Sequence, residues 1–468
     1  MSYTGICCDS REARPGCLFV CLRGHSDDGH VYARRAYDAG CRDFLAEREI
    51  DVPADANVTL CADARAGLAE KAAEFFGHPA RSLVTVGVTG TKGKTGTVFA
   101  AASMLSAAGI KCGTIGTLGI DFDGVHYDTP NTTPDAVTFQ RALAQMKDLG
   151  VKVALVEVSS QALKERRVAG MTFDIGVFTN FSPDHISACE HADVEEYRSC
   201  KAKLFSVCRT GLFNADDAEY GYFVRSANCE ALSYGISPEC AFRAEKISFF
   251  RDGERLCSSF DFIGTGIKMR VVSSLPGIPG VYNTLCASSV CALLGAGADA
   301  IARGAENIRV PGRYELYKVG GAYAMIDYAH NGLAVKSLFD TVALYGFSRV
   351  VSVFGCGGER SVLRRREMAD AISRRSDICV VTEDNPRSES LESINADIAR
   401  GITAPKGRVE YVPERKAAIE YALTEAKTND IVLLIGKGHE RYMEKNGRKL
   451  PFCEADIVKE FTAKLRDN

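Results

Sequence analysis

The chain lacks the features that would place it in a membrane, outside the cell or on nucleic acid. No apolar run in its 468 residues reaches the roughly 18 residues that a bilayer-crossing helix needs. A formal net charge of −3 creates no basic field, so neither nucleic acid nor an anionic membrane is an expected partner. The stretch 1–9 lacks the charged-then-apolar pattern of an export signal. Cysteine is plentiful at 18 residues, but no C-x-x-C pair or regular spacing occurs. The thiols read as reduced, mostly buried small hydrophobes of a cytoplasmic protein. Low-complexity segments and internal repeats are absent.

What remains is globular, with 46% hydrophobic and 25% charged residues, enough for about three domains of ~150 residues. Residues 1–80 carry short strand-like runs (18–23 and 43–47) and end at Gly77, His78 and Pro79, a linker signal. From 81 to 310, strand-like runs at 83–88, 111–117, 153–160, 173–182 and 211–217 alternate with helical stretches, the last of them at 282–294. That rhythm predicts a mostly parallel sheet wrapped by helices. After Pro311 and Gly312 it restarts at 322–329, 349–356, 378–384 and 431–437, predicting a Rossmann-like α/β sheet over 311–468. The expected architecture is three α/β domains, and a monomer is expected.

The most informative segment is 85–97, TVGVTGTKGKTGT. Val84, Val86 and Val88 have strand character, and Thr95 to Ala108 reads as a helix that Gly109 ends. Between them, Gly90, Thr91, Lys92 and Gly93 let backbone N–H groups curl around an anion at a helix N-terminus, where the dipole also favours negative charge. Lys94 would reach the outer phosphates, and the Thr95 hydroxyl would sit on a magnesium ion. The pattern is one glycine short of the general phosphate-loop spacing, because position 88 is Val, and a plain glycine turn is the alternative. ATP is the expected ligand.

Other segments read less decisively alone. Glu157 ends an apolar run, where a charge is costly unless paired or bound to metal, so a metal or catalytic role competes with a buried ion pair. Lys201, within 195–205, reads as a solvated helix face. Thr132 and Thr133 fit a turn as well as a binding loop, and Asn331 fits a helix cap. The segment 384–387, DNPR, follows a strand and reads as a proline turn or as a recognition loop.

The series continues through Asp9-Ser10-Arg11, 16–30, Asn131 to Pro134, Glu157 to Ser160, Thr179-Asn180 with Asp184-His185, and Asn214 to Asp217. It ends with Val310 to Arg313, Asp327 to His330, Asp384 to Arg387 and Gly436 to Glu440. In this order, across essentially the whole chain, it resembles the Mur ligases, the ATP-dependent amino-acid ligases that build the peptidoglycan stem peptide. Within that family the likeness is to the member adding the third residue to UDP-N-acetylmuramoyl-L-alanyl-D-glutamate.

The resemblance implies catalytic roles for Lys94, Lys201 and His185. Magnesium ligands would be Thr95, Glu157, His185 and Lys201, the last carbamylated. Asn283 and Arg313 would clamp the ATP. Ser10, His25 and Gly29 would hold the uridine diphosphate, and Thr132, Thr133, Ser159 and Arg167 the muramoyl dipeptide. The diamino acid would be held by Arg365, Asp384, Asn385, Arg387, Gly436 and Glu440. Meso-diaminopimelate differs from lysine by a distal carboxylate, which the planar Arg387 guanidinium can answer bidentately.

Departures from the family pattern occur at Gly96, Gln161, Gly280, Gly357 to Ser361, and Cys453-Glu454. The stretch 327–332 reads more like lysine-adding relatives. The leading expectation is ligation of diaminopimelate. The alternatives are lysine as substrate, a phosphate-loop ATPase or switch, and an inactive scaffold.

Overall fold

The structure, a computed structural model, describes residues 3–24, 27–183, 186 and 190–467. His25 and His185, both expected at binding sites, lie outside the described residues. The fold is α/β as expected. Its contacts divide the chain into two compact units. The first comprises Met1–Glu245, Asp261–Val271 and Tyr282–Ala305, and the second Lys246–Phe260, Val272–Val281 and Glu306–Asn468. Among the described residues no helix is long and apolar enough to cross a membrane.

In the first unit, Gly5–Cys7, Cys17–Val20, Asp43–Ala46 and Asn57–Leu60 form a four-stranded parallel sheet. Its core is unusual in using Cys7, Cys17, Cys21 and Cys41 beside Phe19 and Phe44, the role of small hydrophobes anticipated for the thiols. A larger sheet follows, with Val84–Thr89 between its parallel neighbours Phe173–Phe178 and Val153–Glu157. Val86 and Val88 are buried, as a strand covered on both faces requires. The helix Lys94–Ala107 starts from Gly93, which holds a left-handed φ of 86°. A further helix spans Gly277–Leu293, of which the residues from Tyr282 on belong to this unit, and it starts five residues before the expected 282. Pro279 near its start is compatible with a first helical turn, where its missing N–H costs nothing.

The second unit holds a six-stranded sheet. Its order is Glu315–Val319, Ala322–Asp327, Ile431–Ile435, Val350–Phe354, Ile378–Val381 and Arg408–Tyr411. Only the first pair is antiparallel. Open parallel sheets bind ligands beyond the carboxyl ends of their strands, and here 384–387 and 436–440 emerge at that edge. Beneath them lies Arg415, fully buried with Glu454 at 2.8 Å. Its guanidinium also donates to the carbonyls of Glu383 at 3.1 Å and Ile435 at 2.9 Å. One side chain thus ties together the ends of two strands. Glu454→Ala would leave Arg415 a buried, uncompensated charge. It is expected to cost about 3–5 kcal/mol of stability, read as a lower denaturant midpoint; a loss near zero would show that the pair does not hold the edge.

Candidate functional site

The phosphate loop is built as its sequence suggests, and its anchors come from a neighbouring strand end. Thr91 N–H donates to the Asn180 carbonyl at 2.9 Å. Lys92 N–H donates to Asn180 Oδ1 at 2.9 Å, and Asn180 Nδ2 donates to the Lys92 carbonyl at 2.9 Å. The Thr179 hydroxyl donates to the Lys92 carbonyl at 2.7 Å. Gly90, at φ 148°, is obligatory here, since a Cβ would lie 1.9 Å from Thr179 Oγ1. Lys94 Nζ folds back on the carbonyls of Gly90 at 2.8 Å and Thr91 at 3.2 Å. Asn283 lies against the same loop, 2.7 Å from where a Gly93 Cβ would stand. Gly96, a departure from the family's threonine run, has a reason in space: a Cβ there would lie 2.4 Å from Asn283 Nδ2.

Glu157, 1% exposed, is not a solvated acid, and it has no close ion-pair partner among the described residues. Thr95 Oγ1 donates to its Oε2 at 2.9 Å, and Thr117 donates through its N–H at 3.0 Å and its hydroxyl at 3.2 Å. Burial pushes the carboxyl above its ordinary range, with the Lys94 ammonium and these donors pulling it partly back. Thr132 joins through Thr117, hydroxyl to hydroxyl at 3.1 Å. Thr133, fully buried, donates to the Glu157 carbonyl at 2.7 Å and accepts from Ser159 N–H at 3.0 Å. Arg167 donates to the Thr133 carbonyl at 2.7 Å while pairing with Glu165. Thr132, Thr133, Ser159 and Arg167 are therefore one connected group beside Glu157, more than the turn that Thr-Thr-Pro suggests alone.

Lys201 corrects the solvated-face reading. It is 1% exposed, with Nζ donating to the Gly90 carbonyl at 2.9 Å and lying 4.4 Å from the centre of the Tyr197 ring. The Tyr197 hydroxyl donates to Thr91 Oγ1 at 3.2 Å. Lys203, two residues on, is the exposed one. Ser10 lies in the turn where Arg11 pairs with Asp9, and Gly29 N–H donates to the Leu22 carbonyl at 2.7 Å. No described contact joins Ser10 or Gly29 to the group around Glu157.

The second unit carries its own cluster. Arg365, Asp384, Asn385, Arg387, Gly436 and Glu440 all line one cavity of about 230 Å³, with Tyr328, His330, Arg360 and Arg364 also on its wall. Lys437, fully buried, donates to Asn385 Oδ1 at 3.0 Å and Glu440 Oε2 at 2.9 Å, and lies 3.4 Å from Asp384. Asn385 Nδ2 donates to Glu440 Oε2 at 2.8 Å. Arg365, 2% exposed, is already engaged by Glu389 and Asp397. Its guanidinium holds the Glu389 carboxyl down at about 2. Arg313 lies over the Tyr328 ring at 4.8 Å and near enough to Asp327 to lower a carboxyl that burial raises. Asn331 caps the helix Gly332–Ala343 by accepting from Ala334 N–H at 2.9 Å, the cap its sequence position suggests.

Sequence reasoning missed Thr117, Lys437 and Arg360 as contributors to these sites. Thr117 carries no motif. Lys437 and Arg360 stood inside quoted motifs but gave no sign of which would be buried and which would face the cavity.

Glu157 sets a pH test. Its folded-state value lies above its unfolded one. The carboxyl therefore favours folding below the unfolded value and loses that contribution as pH rises through the folded value. Glu157→Gln is expected to stabilise the nucleotide-free protein near neutral pH, with the gain shrinking as pH falls through the folded-state value of Glu157. Urea unfolding across that pH range reads this; unchanged or lower stability at neutral pH would mean that Lys94 and the threonines compensate the charge in full.

Three family profiles match the chain: Mur ligase family, catalytic domain, over residues 2–80; Mur ligase middle domain over 88–291; and Mur ligase, glutamate ligase domain, over 312–438. A UDP-N-acetylmuramoyl-L-alanyl-D-glutamate–2,6-diaminopimelate ligase of Caldanaerobacter subterraneus subsp. tengcongensis is 34% identical, covering 99% of this chain and 95% of its own. A protein of the same name from Geobacillus thermodenitrificans is 37% identical, covering 93% and 89%. A solved structure with that name superposes with a TM-score of 0.73 at 27% identity, covering 99% of this chain and 95% of its own. A ligase structure from Thermotoga maritima in complex with ADP shares the fold at TM-score 0.64 and 18% identity. Matched from end to end by these profiles and relatives, the chain belongs to the Mur ligase family of ATP-dependent ligases.

Proposed function

We propose that the protein joins meso-2,6-diaminopimelate to UDP-N-acetylmuramoyl-L-alanyl-D-glutamate at the expense of ATP, in peptidoglycan precursor synthesis. The observation that carries this reading is Arg387 on the wall of the second unit's cavity, in a chain whose relatives over nearly full length bear that enzyme's name. We read residues 1–80 as the UDP-binding domain, 81–310 as the ATP-binding domain and 311–468 as the amino-acid-binding domain. The profile boundaries at 80, 88, 291 and 312 support this division. A reducing, cytoplasmic setting fits thiols that are free and mostly buried.

A carboxylate has no good leaving group, so it must be activated before an amine can displace anything from it. The D-glutamate γ-carboxylate attacks the γ-phosphorus of ATP, the bond to the ADP oxygen breaks, and an acyl phosphate results. The neutral amine of the diamino acid then attacks the acyl carbon. The amide bond forms, inorganic phosphate leaves and the nitrogen gives up a proton. Loop amides and Lys94 stabilise the charge that develops on the phosphoryl oxygens. The Thr132, Thr133, Ser159 and Arg167 group holds the dipeptide, and Asn283, beside the loop, contacts the nucleotide. Exclusion of water protects the acyl phosphate from hydrolysis.

The all-oxygen donors Thr95 and Glu157 suit magnesium, and a divalent cation would relieve the cost of burying Glu157 as an anion. Thr95, Glu157, His185 and Lys201 would hold such ions, whose charge neutralises phosphate oxygens. Lys201 fits that set only as a carbamate. Its amine would add to carbon dioxide, forming an N–C bond and releasing a proton, which turns a buried cation into an anionic oxygen ligand. Lys201→Ala is then expected to lose nearly all activity and regain part of it with millimolar acetate or another short carboxylate. No regain would argue for the plain ammonium.

Phosphate release with the nucleotide dipeptide and a panel of diamino acids tests the activity. Release should require the dipeptide and be fastest with meso-diaminopimelate; release without either substrate would favour an ATPase. Arg387→Ala should lower kcat/KM for diaminopimelate about 100-fold, the scale of a charge-assisted contact left unpaired, while changing the ATP KM less than about twofold. Equal losses for both would make the residue structural.

A further inference from the structure

Arg387 has a left-handed φ of 56°, which a residue with a Cβ holds only where its surroundings impose it. What imposes it is a hairpin, Tyr442–Lys445 and Arg448–Pro451, turned through Asn446 and Gly447 at φ 48° and 71°. That Asn-Gly pair matches the strand twist of a tight hairpin. The Glu444 carbonyl accepts from Arg387 N–H at 3.1 Å, and Asn446 N–H donates to the Arg387 carbonyl at 2.7 Å. Glu444 N–H donates to Asn385 Oδ1 at 2.9 Å. The hairpin therefore grips two residues of the DNPR segment by their main chain and side chain together.

The guanidinium is fixed as firmly. Its Nε faces Glu444 Oε2 at 3.3 Å, and Nη1 donates to the Gly358 carbonyl at 2.7 Å. Two fixed points orient a rigid planar fork, and Nη2 has no hydrogen-bond partner among the described residues. The Glu444 carboxylate is only about a quarter exposed, at 28%, so bulk water screens the pair incompletely.

We propose that Glu444 is a positioning residue for amino-acid selection: it orients Arg387 so that the open edge of the guanidinium meets the distal carboxylate of the diamino acid. This rests on the reading of the cavity as the diaminopimelate pocket. Glu444 itself touches no substrate in this scheme. Its effect is confined to substrates that carry the carboxylate Arg387 reads, which separates it from a residue that only keeps the unit folded.

The test compares wild type, Glu444→Ala and Glu444→Gln with meso-diaminopimelate and with lysine, at saturating ATP and nucleotide dipeptide. Glu444→Ala is expected to raise the diaminopimelate KM and to shrink the ratio of kcat/KM for diaminopimelate over lysine, each about fivefold, the size set by a part-exposed ion pair. Its kcat, ATP KM and unfolding midpoint should stay near wild type. Glu444→Gln keeps an oxygen that can accept from Nε and is expected to recover more than half of the ratio. An unchanged ratio overturns the proposal. So does a lower diaminopimelate KM, which would make Glu444 a competitor for Arg387 instead of its guide. A wild-type enzyme with no preference for diaminopimelate over lysine would instead sink the pocket assignment, before the variants are considered.

Discussion

A carboxylate kept away from water beneath a loop of backbone amides is the constraint that organises the first unit. Glu157 is buried, raised by desolvation and held by Thr95 and Thr117 with Lys94 nearby. A residue in that state is stable only in a dense frame of donors. The frame consists of the first turn of the helix, the threonines after the neighbouring strands, and a lysine turned onto loop carbonyls. In the proposed reaction the same donors that make the anion tolerable would receive a polyphosphate and its counter-ions. Lys201 is the complementary case, a cation carried under the loop and laid on the Gly90 carbonyl and an aromatic face.

The second unit follows a related logic with ions of both signs. Lys437, Arg415 and Arg365 are each almost wholly buried and each engage carboxylates. None of them need touch a substrate to matter. Arg415 joins the ends of two strands, and Lys437 orients Asn385 and Glu440. Arg365 is committed to Glu389 and Asp397, so Arg360, Arg364 and Arg387 are the cavity arginines outside that buried pairing. A buried ion pair adds little net stability over an apolar substitute, but breaking one is costly. The arrangement therefore exchanges some stability for a definite geometry at the sheet edge.

Much of this was legible in the sequence because the signals are local. The order of strand, glycine turn, Lys-Thr and helix over 84–107 needs no partner from elsewhere in the chain. The same holds for the strand-ending DNPR segment and the alternation that marks the two larger, mostly parallel sheets. What was not legible depends on residues far apart in sequence. Lys201 reads as a surface residue until Gly90, 111 positions away, is seen to be its acceptor. Thr117 has no motif, and its role exists only because Glu157 is beside it. Asn331 went the other way, since its capping chemistry is local and suffices to explain it. The hairpin's Asn-Gly turn could have been read from sequence, but not that its edge would clasp Arg387.

That hairpin backs Arg387, which lines the pocket, and its outer strand, Arg448–Pro451, is exposed throughout. The hairpin is stitched to Arg387 by main-chain hydrogen bonds, which do not depend on which side chains it bears. A lineage could therefore rewrite those few residues and retune which amine is accepted, while the buried lysine and arginine beneath stayed as they are. Selectivity and foldability would then be inherited on separate stretches of chain, and one could drift without endangering the other.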